Sequence, residues 1–573
     1  MRGAGYRRAM DGWVRRAKTR GGIPRRTDCD LATGLGYDRA PDSRRTILDT
    51  QRLTLLALPV LLMMGRSALA DVTVPATLAA DESWTAAAGP YLVETDVTVP
   101  EDVTLAVGPG VRIVLSAGRS LIVRGQLVAR GTEADPIVFD GADAGDGKVQ
   151  RWGSVVFEDS STDAVLAAGE VYQSGSILEH CVLKNGTRGV KLNAASPFLH
   201  LSTFQGNHYK SASTTDPIGG AAVYVGKDST PWIVGCRFID NSIEGAAPGG
   251  AVCVDYGDPI VKDNLFQGNS AIYGAGLATN FQASPIVGNT FTGNQSTWEA
   301  GAVALVSSQP AFLNNTVTDN TANADGAGLH VCTTCYPHAD PLVMDNTITG
   351  NATQIEGAGG VGGAYIRVFA WNNVHGNTRA DEPADFGWFN VGRGTDPDWA
   401  VDLSVANNWW GTTDAAAIDA TIEDGNDDAA YGKVSWAPAL TGPVTAPTPR
   451  VTITTRHIVY EQDGIPMPVY LTLYNPGAAR EVVLHVMLQY GTGAPAFFRG
   501  SIGLDGAVRD GDGFRVTLPT NSVHFATLVT PTFTAGATRL EATLHAVMSD
   551  AATGARIGDA CSTRFDLAAG GDE

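Results

Sequence analysis

A hydrophobic-x-x-Asn unit recurs eight times through the middle of the chain, at Val182–Asn185, Phe204–Asn207, Phe238–Asn241, Phe266–Asn269, Phe291–Asn294, Val317–Asn320, Ile348–Asn351 and Val374–Asn377. Successive asparagines are 22, 34, 28, 25, 26, 31 and 26 residues apart. Most units lead into a small-residue strand start, such as Gly220-Ala221-Ala222-Val223, Gly249-Gly250-Ala251-Val252, Gly274-Ala275-Gly276-Leu277 or Gly326-Ala327-Gly328-Leu329. Each repeat is too short to bury its own apolar face, so repeats must stack on one another. Short β segments with Gly and Asn at corners specify a parallel β-helix, with stacked Phe, Val, Ile and Leu inside and asparagines bonding along the axis. The rival, an array of β-sandwiches, needs hairpin signals, and these are sparse between residues 177 and 380.

The FxxN and GGA pairs resemble the repeats of polymorphic outer-membrane proteins, a branch of the right-handed β-helix, pectin-lyase-like class. The entry segment (Gly89-Pro90-Tyr91, then residues 96–115 and 121–139, then Trp152-Gly153) is similar to the first turns of secreted β-helices. The exit, Asn407-Asn408-Trp409-Trp410-Gly411 with residues 435–438, looks like a closing turn of that class. The resemblance spans residues 84–440. It implies a fold whose members either cleave polysaccharides or only bind and adhere.

The expected organisation has five parts. Residues 1–70 form a leader. Its core, about 44–70, carries Arg44, Arg45 and Arg52, the apolar run Leu53–Met64 and the Ala68-Leu69-Ala70 cleavage pattern of an export signal, by the Sec or twin-arginine route. Residues 71–440 form the β-helix. A Pro/Thr linker follows at 441–450. About seven short strands at 451–567 predict an immunoglobulin-like β-sandwich, and 568–573 form a tail. The aromatic stretch 388–410 (Trp388, Phe389, Trp399, Trp409, Trp410) is expected to cap the open end of the core, with a sugar-stacking platform as the alternative. No later segment approaches membrane-spanning length.

Charge narrows the choice of partner. The net charge is −20, but 14 of the 40 basic residues and 6 of the 60 acidic residues lie in the first 70. The remainder carries 26 basic against 54 acidic residues, a net of −28. Nucleic acid is a poor partner for such a body, because phosphate affinity comes from Lys and Arg. The 67 glycines match the corner chemistry of a solenoid.

No catalytic set of the class is legible. Paired carboxylates with a GHG segment are absent, as is an Asp cluster with a basic proton acceptor. Tyr336-Pro337-His338 is a distant echo of an epimerase segment. Alternation along the strands offers a different candidate. With Val190, Val223, Val252, Leu277, Val303 and Leu329 facing in, Lys191, Tyr224, Cys253, Ala278, Ala304 and His330 form one outer column. Asn193, Gly226, Asp255, Asn280, Val306 and Cys332 form the next. Lys191, Asn193, Tyr224, Asp255 and Asn280 then make a polar strip on which a polysaccharide or cell-surface glycan can lie. The bland alternative is a solvated face.

Asp424, Asp427 and Asp428 surround Gly425-Asn426 and are candidate calcium ligands. Cys332 and Cys335 sit in an insertion and predict a local disulfide; half a zinc site, completed by His330 and His338, is the alternative. Three functions follow: glycan or surface binding by an exported, non-catalytic protein; polysaccharide lyase or hydrolase activity; and a purely structural envelope role.

Overall fold

The computed structural model describes residues 71–567 except 146–147, 212–218, 333–338, 364–365, 389–401, 428–431, 456–458, 461–468, 491–492, 499–501, 503, 505–506 and 530–539. The expected leader and tail lie outside the described residues.

From Val72 to Glu423 the chain winds through three parallel sheets of 12, 12 and 11 strands. A fourth sheet of eight strands joins at His208–Lys210 and is parallel except for its last pair. Each strand pairs with its counterparts one turn before and one turn after, which is the topology of a parallel β-helix. Most strands are two to four residues long, so one inward side chain or two per strand carry the core.

The register agrees with the alternation. Val190, Val223, Val252, Leu277, Val303 and Leu329 are direct partners on successive strands, and all are fully buried. On another sheet Phe204, Phe238, Phe266 and Phe291 stack inside the solenoid, with ring centroids 5.1, 4.7 and 4.5 Å apart. Such stacks add about 0.5–1.5 kcal/mol per pair beyond area burial.

The repeat asparagines form a buried amide ladder. Each Nδ2 from Asn207 through Asn241, Asn269, Asn294, Asn320 and Asn351 donates to Oδ1 of the next, at 2.9–3.0 Å, ending at Asn377. Asn377 in turn donates to Asp385. Asn185 is the exception: it turns away and donates to Asp140, while Gly186 N–H meets the ladder at Asn207. The repeat unit begins one residue early in that turn. A second ladder runs through Asn264, Asn289, Asn315, Asn346, Asn372 and Asn408, with Cys236 in the position before it. Cys236 is buried and free.

The small-residue strand starts have a steric cause. Gly249 has φ +69°, and a Cβ on Gly250 would lie 2.5 Å from the Ala275 carbonyl oxygen and 2.6 Å from that of Ser270. At the far end, the Asp414 side chain caps the short helix Ala415–Asp419, whose Ile418 enters the core. Trp410 packs edge-on against Phe386 and closes the core as expected. Phe389 and Trp399 lie outside the described residues.

Beyond Arg450 the chain forms a three-stranded antiparallel sheet and a larger, mostly antiparallel one. They share a core of residues such as Ile453, Leu471, Leu484, Val516 and Met548. This unit docks on the outer face of the 11-stranded sheet. Tyr474, Val523 and Cys561 pack against Ile260, Val287, Leu313, Leu342 and Met344. Arg450 makes a bidentate pair with buried Asp345 (2.8 and 2.9 Å), a third bond to Asp559, and stacks over Trp371. The expected linker is laid along the solenoid, where Val444 exchanges two hydrogen bonds with the Asn373 side chain.

Candidate functional site

The strands Val190–Leu192, Val223–Val225, Val252–Asp255 and Leu277–Asn280 place the predicted strip on the outer face of one 12-stranded sheet. Lys191 pairs with Tyr224, Tyr224 with Cys253, and Asp255 with Asn280, so the two outer columns run as the alternation requires. Strand spacing puts successive members ~4.8 Å apart at the backbone.

Three of the five residues form one group. Asn280 Nδ2 donates to Asp255 Oδ1 at 2.8 Å, and the Tyr224 hydroxyl makes a long contact of 3.5 Å with Asp255 Oδ2. Asn280 is 7% exposed, and its Oδ1 is buried with no hydrogen-bond donor. Burial, with the Asp255 charge adding, holds the Tyr224 phenol far above its ordinary pKa, so the hydroxyl stays protonated. Lys191 is half-buried on the same face, one turn before Tyr224. Asn193 is engaged along its own column, where Nδ2 donates at 3.0 Å to Glu158, the residue one turn back after Phe157, the register partner of Leu192.

The surroundings of this group were not legible as a site in the sequence. The Arg188 guanidinium lies 3.7 Å from the Tyr209 ring centroid and 5.7 Å from that of Tyr224, and it donates to the carbonyls of Gly219 and Gly220. Burial lowers its pKa. The Cys253 thiol, buried in the same column, is pushed up to about 12 by desolvation, and so is an unreactive thiol. Tyr256 and Phe281, immediately after Asp255 and Asn280, both have φ +58° and stack with ring centroids 4.4 Å apart. The readable signal was their shared offset, four residues beyond Val252 and Leu277.

Three turns beyond Cys253 in the same column, His330 is almost fully buried between Asp325 (3.3 Å) and Glu299 (3.6 Å). Burial pushes its pKa down, but the two carboxylates outweigh it and the net direction is up. Cys332 is buried and disulfide-bonded. Cys335, its predicted partner, and His338 lie outside the described residues.

The acidic turn is built from its own hydrogen bonds. Asp424 is buried, with Oδ1 accepting from Asn426 N–H and Oδ2 from Val434 N–H, while Asp427 accepts from Asp424 N–H. Asp428 lies outside the described residues. No group of three or more His, Cys, Asp or Glu side chains among the described residues is placed to hold a metal ion. A shallow pocket beside this turn is lined by Arg379, Phe386, Thr421, Glu423 and Asp427.

A second polar cluster lies on the outer face of the 11-stranded sheet. Glu179 accepts from Arg130 Nε at 2.7 Å and lies 2.9 Å from His200 Nδ1. Burial lowers the His200 pKa, so the ring is neutral near pH 7 and Glu179 fixes its proton on Nδ1. No single repeat spells this cluster, because its members come from three turns.

The right-handed beta helix region family matches residues 152–308 and, in a second overlapping match, 214–378. Both matches fall within the stacked strands, and together they support a right-handed parallel β-helix. No curated protein and no solved structure matches the chain. No helix among the described residues is long and apolar enough to cross a membrane.

Proposed function

We propose that this is an exported β-helix protein that binds a glycan, or a surface bearing one, without cleaving it. The observation that carries the reading is the Tyr224–Asp255–Asn280 group, held at fixed spacing on the outer face of a rigid sheet. A flat parallel sheet presents polar groups at a regular interval, which suits a repeating polymer. The leader's export signal and the likeness to polymorphic outer-membrane and pectin-lyase-like repeats favour an extracytoplasmic setting. The docked C-terminal unit, read as an immunoglobulin-like accessory module, packs on the 11-stranded sheet. The test is a glycan array with the full chain and the double variant Tyr224→Ala, Asp255→Ala. Unchanged binding by the double variant would remove the strip from consideration.

One observation favours a second reading, polysaccharide cleavage. His200, oriented by Glu179 and flanked by Arg130, has the makings of a proton acceptor beside a cation. Incubation with uronate polymers, followed by the absorbance of the unsaturated product, separates the two readings. Product formed by wild type and lost in His200→Ala would favour cleavage.

A further inference from the structure

The outer face of the 11-stranded sheet carries two columns of side chains. Val128, Ile177, Phe198, Trp232 and Ile260 are register partners in one, and Arg130, Glu179, His200, Val234 and Lys262 in the other. Two covers lie on them. The C-terminal unit packs from Ile260 onward. Ahead of it, a hairpin of Val165–Ala167 and Val171–Ser174 lays Leu166 and Tyr172 against Ile177, Phe198 and Val234, and the Arg130 guanidinium sits over the Tyr172 ring at 5.2 Å. Trp232 packs against both covered clusters.

The hairpin is a two-stranded sheet of its own, paired with no other described strand. Such a ribbon is marginal in water by itself. Its outward valines, Val165 and Val171, are 55% and 54% exposed, so the apolar contacts beneath it and its tip must hold it in place. At the tip, Gly169 and Glu170 have φ +75° and +65°, the two positive values of a tight hairpin turn. Gly or Asn suits the second of these positions, and a glutamate is strained there. Its side chain supplies the reason. Glu170 reaches the strand Ile260–Lys262, three strands beyond the Ile177–Glu179 strand that follows the hairpin, and lies 3.1 Å from the Lys262 ammonium.

The C-terminal unit closes around that contact. The Val523 backbone N–H donates to the Glu170 carboxylate. Asn521 Nδ2 donates to Asp263 Oδ2 at 2.9 Å, and the same oxygen lies 2.7 Å from the Lys262 ammonium. Pro519 lies against Gly169, 3.8 Å from where a Cβ would stand. The Lys262 side chain is only 4% exposed as a result. Burial pushes the Glu170 pKa up despite Lys262, so the ion pair alone gains little from being enclosed. Without the C-terminal unit the tip would keep only an ion pair open to water, and such pairs hold weakly.

We infer that the hairpin is a strap over the face that carries His200, and that the docked C-terminal unit holds it shut. Undocking frees the tip and uncovers Phe198, which is 1% exposed under the strap and stacks on the His200 ring at 4.6 Å. The inference stands apart from the glycan-binding reading, since it concerns access to this face and not what occupies it. The coupling is reciprocal, so loosening the tip weakens docking by the same factor. The test is hydrogen exchange on the full chain, with hydroxyl-radical footprinting at Phe198. Arg450→Ala breaks docking at Asp345, next to the strand Leu342–Met344. That strand is three strands from Lys262, ~14 Å by strand spacing, so the substitution leaves the tip itself intact. Residues 165–174 should exchange about 10-fold faster than in wild type, a usual size for coupled sites, and Phe198 oxidation should rise with them. The strand Val190–Leu192, under neither cover, should keep its rate and so report an intact solenoid. Glu170→Asn, which suits the turn but removes the carboxylate, should in return speed exchange in Arg450–Thr455. Hairpin exchange or Phe198 oxidation that stays at the wild-type level in Arg450→Ala would overturn the inference. A rise shared equally by Val190–Leu192 would mark general loosening and overturn it too.

Discussion

Replacing Asn294 with alanine isolates the contribution of the amide ladder. Asn294 is fully buried. Its Oδ1 accepts from Asn269 N–H and Nδ2, and its Nδ2 donates to the Phe266 carbonyl and to Asn320 Oδ1, all at 2.9–3.0 Å. The losses are unequal. Asn269 Nδ2 keeps the Phe238 carbonyl, and Asn320 Oδ1 keeps Asn294 N–H. The Asn269 N–H loses its acceptor outright. One orphaned buried group costs about 1–3 kcal/mol, and a partly replaced bond about 0.5–1.5 kcal/mol. Asn294→Ala should therefore destabilise the solenoid by about 2–6 kcal/mol. Urea unfolding followed by circular dichroism measures the total, and native-state hydrogen exchange at the Asn269 amide locates it. The control is Asn185→Gly, which removes a single bond to Asp140 outside the ladder at a corner whose φ of +60° glycine accepts, and should cost about 1 kcal/mol or less. Equal costs for the two variants, or an unaltered Asn269 exchange rate, would refute a structural role for the ladder.

Three further outcomes follow from buried charge. Burial raises the Asp385 pKa above 3.8 despite the Asn377 bonds, so the ionised form is penalised in the folded state; Asp385→Asn should raise Tm at pH 7, and the gain should vanish below pH 3.8, where both states of the wild type are protonated. His330 has linkage of the same sign, since a raised histidine pKa stabilises fully below the unfolded value of 6.5 and that stability is lost as pH rises through the folded pKa; a Tm series should show the advantage of wild type over His330→Gln largest on the acid side and closing as pH rises. Arg450→Ala strands the buried Asp345 carboxylate and should cost about 3–5 kcal/mol, with faster proteolysis between residues 441 and 450 as the readout.

The solenoid was legible because its periodicity is enforced at every turn. A Phe or Val that must point inward and an Asn that must reach the next turn recur at fixed offsets, so register could be read without structure. The second ladder was equally legible, because Asn264, Asn289, Asn315 and Asn346 also lie three residues after an apolar residue, Val261, Ile286, Phe312 and Val343. The outer columns were predictable for the same reason as the core, since alternation fixes both faces. Grouping within those columns was not. Asn193 looked equivalent to Asp255, yet it bonds backward, to Glu158 one turn earlier in the same column, and not to the Asp255 group. Tyr256 and Phe281 read as ordinary corner residues, because positive φ at an aromatic leaves no mark in sequence. The His200–Glu179–Arg130 cluster draws on three turns at a sheet whose strands show no motif. Docking of the C-terminal unit depends on surface shape and on the Arg450–Asp345 pair, 105 residues apart.

The ladder has a direction, and direction governs how such a protein can change length. Every member hands a proton donor forward and receives one from behind. Duplication of a whole turn supplies one new link to each ladder and preserves this polarity, whereas a partial turn would set donor against donor. Asp385 differs from the asparagines before it: an ionised carboxylate accepts but has nothing to pass on. It therefore acts as a terminator within the repeat grammar. Lineages that gained or lost turns are expected to have done so upstream of this residue, in steps of about 25 residues, with the closing segment carried along unchanged.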